Sequence, residues 1–235
     1  MENIYSRTTQ LIGNENMQTL QQAHVVIFGV GGVGGYVVEA LARAGVGNLT
    51  VVDNDTIHPS NLNRQIYALH STINQSKVDA CKARVHDINP QCNVHAQSVW
   101  ATPENIKDIF PQNATYCIDC IDTITSKLAI IKACKEAHIP CISCMGTGNK
   151  LNPFAFKIDD ISKTTVCPLA KTMRKLLKEN NIQNVPVLYS TEPAQKVCAE
   201  EANGRHAPAS ISYIPAVAGN MLAGFVICKL LGVKI

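Results

Sequence analysis

The stretch from His24 to Gly34 reads HVVIFGVGGVG, and it decides the fold. Its first five residues form an apolar, β-branched run that is typical of a buried strand. Glycines follow at Gly29, Gly31, Gly32 and Gly34. They permit a tight turn and let phosphates approach the N-terminus of the next helix. Asp53, 19 residues past Gly34, ends the next apolar run, where an acid can accept hydrogen bonds from ribose hydroxyls. The stretch therefore predicts a nucleotide site.

Short β-branched runs alternate with helical segments on both sides of this motif. Strands are predicted at 24–28, 48–52, 93–97, 115–119 and 139–143, and helices near 32–46, 76–88, 103–110 and 125–138. This alternation predicts an α/β, Rossmann-like, mainly parallel sheet with helices on both faces. Further strands at 154–158 and 187–190 and a basic helix at 166–179 belong to an elaborated C-terminal third. We expect one domain over 1–235, with a nucleotide-binding core at 24–145 and the elaboration at 146–235.

Composition limits the class of protein. The chain has 235 residues, of which 46% are hydrophobic and 17% charged, with a net charge of +3. This balance permits a nucleic-acid partner without requiring one. Ten cysteines with no secretory signal favour a reducing cytoplasm. Polar residues interrupt the apolar stretch at 214–233, so we predict a buried C-terminal helix and no membrane span. The segment 191–210 has no apolar period and is predicted to be a mobile loop.

The glycine motif alone favours an NAD-dependent dehydrogenase, but the residues after Asp53 change that interpretation. A polar loop follows, carrying Asp55, Asn61, Arg64 and Gln65, and Lys77 opens the next helix. Two cations beside a phosphate-binding helix terminus suit a triphosphate, whose leaving pyrophosphate gathers negative charge. Either cation taken alone also fits a solvated surface charge, and for Lys77 alone that is the preferred interpretation.

The fourth predicted strand ends in Asp119-Cys-Ile-Asp122, at the sheet edge where ligands of such folds bind. The Asp122 carboxylate could hold Mg²⁺ that bridges phosphates. It is equally well placed to cap the helix that follows. The residues alone leave both roles open.

Together these elements resemble the ubiquitin-activating-enzyme-like superfamily, which includes the ThiF-type bacterial enzymes that adenylate sulfur-carrier proteins. The shared elements are Gly29-Val-Gly-Gly-Val-Gly34, Asp53, Asn61-Leu-Asn-Arg64-Gln65, Lys77 and Asp119-Cys-Ile-Asp122. The resemblance implies that Asp53 binds ribose, with Asp55 beside it in the nucleotide site. It implies that Asn61, Arg64, Gln65 and Lys77 hold the phosphates of ATP and that Asp122 binds Mg²⁺. It also implies that Arg7 completes the site of the neighbouring subunit in a homodimer.

Within that superfamily the chain is most similar to the tRNA threonylcarbamoyladenosine dehydratases. The closer similarity lies in Tyr5–Gly13, Asn63–Ile66, Ile88–Pro90, Thr164–Ala170 and Tyr189–Glu192. It implies an enzyme that uses ATP to activate the threonyl carboxylate of a modified tRNA nucleoside, which then cyclises with loss of water. It further implies contact with sulfur-transfer proteins. Two alternatives stay open, namely an adenylyltransferase of a carrier-protein C-terminus and an NAD-binding oxidoreductase or regulator.

Two cysteine pairs, two single cysteines and a basic stripe are the remaining candidates for functional residues. Cys117-Ile-Asp-Cys120 and Cys141-Ile-Ser-Cys144 fit a zinc spacing, but residues three apart on a strand point to opposite faces, so no zinc is expected. Cys167 and Cys198 could be nucleophiles, although the dehydratase reaction needs none. The stripe on the basic helix fits a solvated face or a contact with tRNA phosphates, and consists of Lys171, Arg174, Lys175 and Lys178.

Overall fold

A computed structural model describes residues 3–196 and 208–235. The strands are β1 (His24–Phe28), β2 (Asn48–Val52), β3 (Asn93–Gln97), β4 (Tyr116–Asp119), β5 (Cys141–Cys144), β6 (Phe156–Asp160) and β7 (Pro186–Ser190). The helices are α1 (Ser6–Ile12), α2 (Asn14–Gln22), α3 (Gly34–Ala44), α4 (Lys77–Ile88), α5 (Ile106–Ile109), α6 (Ile124–Glu136), α7 (Pro168–Glu179) and α8 (Tyr213–Leu230). Most of the loop predicted at 191–210, including Cys198, lies outside the described residues.

The described strands form one seven-stranded sheet in the order β3-β2-β1-β4-β5-β7-β6. All neighbouring strands run parallel except β6, which pairs with β7 in the antiparallel direction. The predicted Rossmann-like fold is therefore confirmed. Strand order reverses between β1 and β4, and the register pairs Phe28 with Asp119 at their carboxyl ends. A sheet of this kind binds its ligand at such a reversal point.

The element boundaries differ from prediction where local hydrogen bonds compete with the pattern. The helix predicted at 103–110 is reduced to α5 because Thr102 and Asn105 bond each other in a turn: the Thr102 amide donates to Asn105 Oδ1 at 2.8 Å. Strand β6 begins at Phe156, after a short 3₁₀ turn capped by Asn152. Helices α1 and α2 were not predicted, since their sequences are mostly polar, and only Met17 and Leu20 of the pair are buried.

Helix α8 packs tightly on α3. A Cβ at Gly219 would lie 2.8 Å from the Cβ of Tyr36, so the two helices approach as closely as a glycine allows. Its buried side also includes Ala218, Leu222 and Val226, and the core of the sheet continues beneath them. By length and composition alone, α8 could cross a membrane. Its packing on α3 is that of a core helix, although Gly224 on the opposite side is exposed.

Candidate nucleotide site

One cavity of about 420 Å³ opens at the carboxyl ends of β1, β2, β4 and β5. It brings together ten of the residues predicted for the site: Gly29, Gly31, Gly32, Asp53, Asp55, Asn61, Arg64, Gln65, Lys77 and Asp122. Gly34 and Arg7 are not among the residues that line it. Its remaining wall includes Val99–Ala101 after β3 and Met145–Gly148 after β5, which the sequence analysis did not single out. Both segments follow strand ends, and that position was the signal available for finding them.

The glycines of the loop after β1 have different roles. Gly29 has φ +83°, and a Cβ there would lie 3.0 Å from Ile121 Cγ2 on the neighbouring loop. A Cβ at Gly34 would collide with the carbonyl oxygen of Gly29, so Gly34 is needed for packing and does not face a ligand. Gly32 faces the cavity opposite the ring of Pro215 in α8, which a Cβ would meet at 3.3 Å. The loop backbone is therefore open to a ligand along Gly31 and Gly32.

Asp53 is held in place by two backbone amides. Its Oδ2 accepts from the amide of Val30 at 2.9 Å, and its Oδ1 accepts from the amide of Asp55 at 2.9 Å. Each carboxylate oxygen keeps a further lone pair. Because the carboxylate is fixed beside the glycine loop, it can accept hydrogen bonds from ribose hydroxyls, as the resemblance implies.

Lys77 is buried, which contradicts its interpretation as a solvated surface charge. Its side chain is 8% exposed, and Nζ lies 2.8 Å from Asp55 Oδ2. The Lys77 amide also donates to the Asp55 carbonyl at 3.0 Å, so helix α4 and the loop after β2 are joined twice. An ammonium has three donors, so Lys77 can contact a phosphate without leaving Asp55.

Arg64 presents a cation to the same cavity without a carboxylate partner among the described residues. Its Nη1 donates to the carbonyl of Ser60 at 2.9 Å and to Asn63 Oδ1 at 2.8 Å. These neutral acceptors orient the guanidinium and leave its charge uncompensated. Asn61 and Gln65 of the same loop are buried, and Asn61 Oδ1 accepts from the amide of His58 at 3.0 Å. The loop is thus ordered by its own hydrogen bonds.

Asp122 is exposed at the cavity wall. The N-cap of α6 is Thr123, with no side-chain capping bond, so the structure gives no support to a capping role for Asp122. The acid at the other end of the motif, Asp119, is buried and lies 2.9 Å from the Nζ of Lys127. Lys127 was missed from the sequence, although a lysine within the apolar run of α6 was the available signal.

The two cysteine pairs do not converge. Cys117 and Cys141 pack in one hydrophobic cluster, whereas Cys120 and Cys144 belong to the cluster on the opposite face of the sheet. Burial raises the pKa of the Cys144 thiol to about 12 and raises that of Cys120 well above its usual range. Within residues 3–196 and 208–235, no three metal-ligating side chains group together.

The basic stripe of α7 is only partly available to a partner. Arg174 turns inward, and its Nη1 donates to the carbonyl oxygen and the hydroxyl of Thr164, both at 2.7 Å. Lys171, Lys175 and Lys178 are exposed. The prediction of a four-residue basic face is therefore corrected to three lysines. Cys167, at the start of α7, is buried.

This sheet, with its glycine loop and a cavity carrying Arg64 and Lys77, defines an α/β protein that binds a phosphorylated nucleotide. The chain belongs to the ThiF family, whose sequence profile matches residues 5–235. It is 43% identical to tRNA threonylcarbamoyladenosine dehydratase of Bacillus subtilis (strain 168), over 97% of this chain and 94% of that protein.

Solved structures and other relatives agree with this membership. The crystal structure of Escherichia coli tRNA N6-threonylcarbamoyladenosine dehydratase in complex with ATP superimposes with a TM-score of 0.89 and 29% identity. That match covers 97% of this chain and 93% of the other. The sulfur carrier protein ThiS adenylyltransferase of Escherichia coli (strain K12) is 34% identical, but over only 63% of this chain and 60% of that protein.

Proposed function

We propose that this chain is an ATP-dependent tRNA threonylcarbamoyladenosine dehydratase. The observation that carries the proposal is a single cavity that holds Asp53, Arg64, Lys77 and Asp122. This cavity lies in a chain that matches a dehydratase of that name over nearly its whole length. The predicted superfamily and the predicted activity agree with these relatives.

The chemistry follows from the charges around the cavity. An oxygen of the threonyl carboxylate attacks the α-phosphorus of ATP, which forms an acyl-adenylate and releases pyrophosphate. Arg64 and Lys77 stabilise the negative charge that builds on that pyrophosphate. A nitrogen of the ureido group then attacks the activated carbonyl and closes the ring, and AMP leaves with the carboxylate oxygen. The nucleoside thus loses the elements of water without a covalent enzyme intermediate.

Magnesium is the metal that we propose for this site. The exposed Asp122 carboxylate faces the cavity, and Mg²⁺ often takes one protein carboxylate together with phosphate oxygens and water. Bound there, the metal would neutralise charge on the phosphates. The split of the cysteine pairs between two faces supports the further proposal that the chain holds no zinc.

A second candidate is an adenylyltransferase of a carrier protein, which the ThiS adenylyltransferase relative favours. An NAD-binding oxidoreductase is a weaker candidate, because two cations suit a triphosphate better than a dinucleotide. The test measures pyrophosphate released from ATP with tRNA that carries threonylcarbamoyladenosine, or with a carrier protein that ends in Gly-Gly. We expect release with the tRNA only, and cyclic nucleoside by mass spectrometry. Release with the carrier protein only would reject the dehydratase proposal.

The assembly of the site is part of the proposal. Arg7 lies exposed on α1 and is not among the residues lining the cavity of its own chain, which supports a role in the partner's site within a homodimer. One domain over residues 1–235 is supported by the continuous sheet from β3 to β6. We propose a cytoplasmic location because ten cysteines suit a reducing compartment. Contact with sulfur-transfer proteins stays an expectation from the resemblance.

A further inference from the structure

Trp100 has an unusual position for a tryptophan. It is the single tryptophan of the chain, and the residue is 50% exposed at the wall of the nucleotide cavity. Indole rings carry a large apolar surface that is stabilised by burial. We therefore expect a bound molecule to cover this half-exposed indole beside the cavity.

The loop that carries Trp100 is ordered. The Nδ2 of Asn105 donates to the Trp100 carbonyl at 2.8 Å, and Asn105 Oδ1 accepts from the Thr102 amide at 2.8 Å. The next residue, Ala101, is buried in the hydrophobic cluster that contains Phe28. The backbone that follows the indole is thus fixed by hydrogen bonds and by the burial of Ala101.

The order of the strands places the Trp100 ring where the base of a bound nucleotide is expected. Phosphates are expected at Gly31 and Gly32 after β1, and ribose at Asp53 after β2. Trp100 follows β3, the next strand outward, and the Asp53 amide donates to the carbonyl of Gln97 at the end of β3 at 3.2 Å. A base attached to that ribose and pointing away from the phosphates meets the loop after β3.

We propose that Trp100 stacks on the adenine ring of bound ATP. The inference rests on the proposed function, since it requires ATP as the nucleotide. Stacking is favourable for every base because each has a π-face, and larger purine rings cover more of the indole than pyrimidines do. Trp100 thereby contributes affinity and a preference for purine over pyrimidine nucleotides.

The single tryptophan makes the contact directly observable. ATP with Mg²⁺ should change the intrinsic fluorescence of the wild-type protein, whereas tripolyphosphate with Mg²⁺ should leave it nearly unchanged. By calorimetry, Trp100→Ala should bind ATP roughly 10- to 100-fold more weakly and tripolyphosphate about equally. Trp100→Phe should retain most of the affinity. Leu69→Ala is the matched control, since Leu69 is also 50% exposed and is not among the residues lining the cavity.

Each outcome decides the inference. Weaker ATP binding with unchanged tripolyphosphate binding, and a smaller ratio of ATP to CTP affinity, supports stacking. Equal loss of both ligands shows a structural role and overturns it. Normal ATP affinity of Trp100→Ala overturns it as well while the proposed function stands, and a simultaneous loss of tRNA affinity would assign the ring to an RNA base. A wild-type protein that does not bind ATP rejects both proposals.

Discussion

The Nζ of Lys127 lies 2.9 Å from Asp119 Oδ2, and the two side chains are 0% and 1% exposed. Lys127 also donates to the carbonyl of Ile121 at 2.8 Å, and the hydroxyl of Ser143 donates to Asp119 Oδ2 at 2.6 Å. This network joins the end of β4 to α6 and β5 directly beneath the turn that carries Asp122. It therefore orders one wall of the nucleotide cavity from below.

We expect Lys127→Met to lower the free energy of unfolding by about 3–5 kcal/mol, because it leaves the Asp119 carboxylate buried without a counter-charge. Adding Asp119→Asn should recover part of that loss. Urea denaturation measures both. The control is Lys163→Met, which removes an exposed pair with Asp159 at 3.0 Å and should leave the free energy of unfolding nearly unchanged, because solvent screens that pair. Equal, small losses in the two single variants would contradict the importance of the buried pair.

Arg64→Ala and Lys77→Ala should each cost about 2–4 kcal/mol in kcat/KM, since each removes a charge-assisted phosphate contact. Steady-state pyrophosphate release measures the loss. Lys82→Ala is the matched control, because Lys82 is exposed on the same helix as Lys77. Near-normal turnover in both site variants would reject the site assignment.

Reversal of Lys171, Lys175 and Lys178 to Glu should weaken tRNA binding and flatten its salt dependence, because fewer phosphate contacts release fewer counterions. Arg174 stays unchanged in this variant, since its hydrogen bonds connect α7 to Thr164 and its loss could disturb folding. Binding is measured over a range of salt concentrations, with ATP affinity as the control for folding. Unaltered tRNA affinity would show that the three lysines form only a solvated face.

Arg7→Ala and Asp122→Ala should each be nearly inactive, and their co-expression should restore activity. Random mixing makes about half of the dimers mixed, each with one intact site, so roughly a quarter of wild-type activity should return. Dimers of each single variant, measured alone, are the control. If Arg7 acts within its own chain, both sites of a mixed dimer stay defective and no activity returns.

The buried thiols predict a loss of stability at alkaline pH. Burial raises the pKa of Cys81 to about 12 and that of Cys92 to about 11, from an ordinary value of 9.0. The stability that the two neutral thiols contribute is complete below pH 9. It is lost progressively as the pH rises from 9 towards the folded pKa values, because the unfolded chain ionises its thiols there while the folded chain keeps them neutral. For each thiol, the free energy of unfolding should fall by up to about 1.4 kcal/mol per pH unit in this range.

Urea denaturation under reducing conditions at pH 8 and pH 10 measures this change. Cys92→Ala should reduce the slope, because one group that titrates between its unfolded and folded pKa values is removed. A free energy of unfolding that is the same at both pH values would contradict the prediction.

The parts of the site that were predictable from sequence are those whose signals are local. The glycine loop lies within the βαβ unit of β1, α3 and β2, and Asp53 and the loop to Gln65 follow that unit directly. Their spacing therefore indicates their shared edge of the sheet. The burial of Lys77 was not predictable, because it depends on how the loop after β2 folds to bring Asp55 into contact with the start of α4. The inward turn of Arg174 likewise depends on where the segment around Thr164 packs. Tertiary contacts decide whether a charge on a helix faces water or the protein.

The close approach of α8 to the phosphate loop has a consequence for the order of synthesis. Pro215 forms one side of the cavity opposite Gly32, and Gly219 lets α8 lie against α3. A nascent chain presents its glycine loop early, yet that loop gains this wall only after α8 has left the ribosome. The wall opposite Gly32 thus depends on α8, and a fragment ending at 145 would carry the glycine motif without that wall.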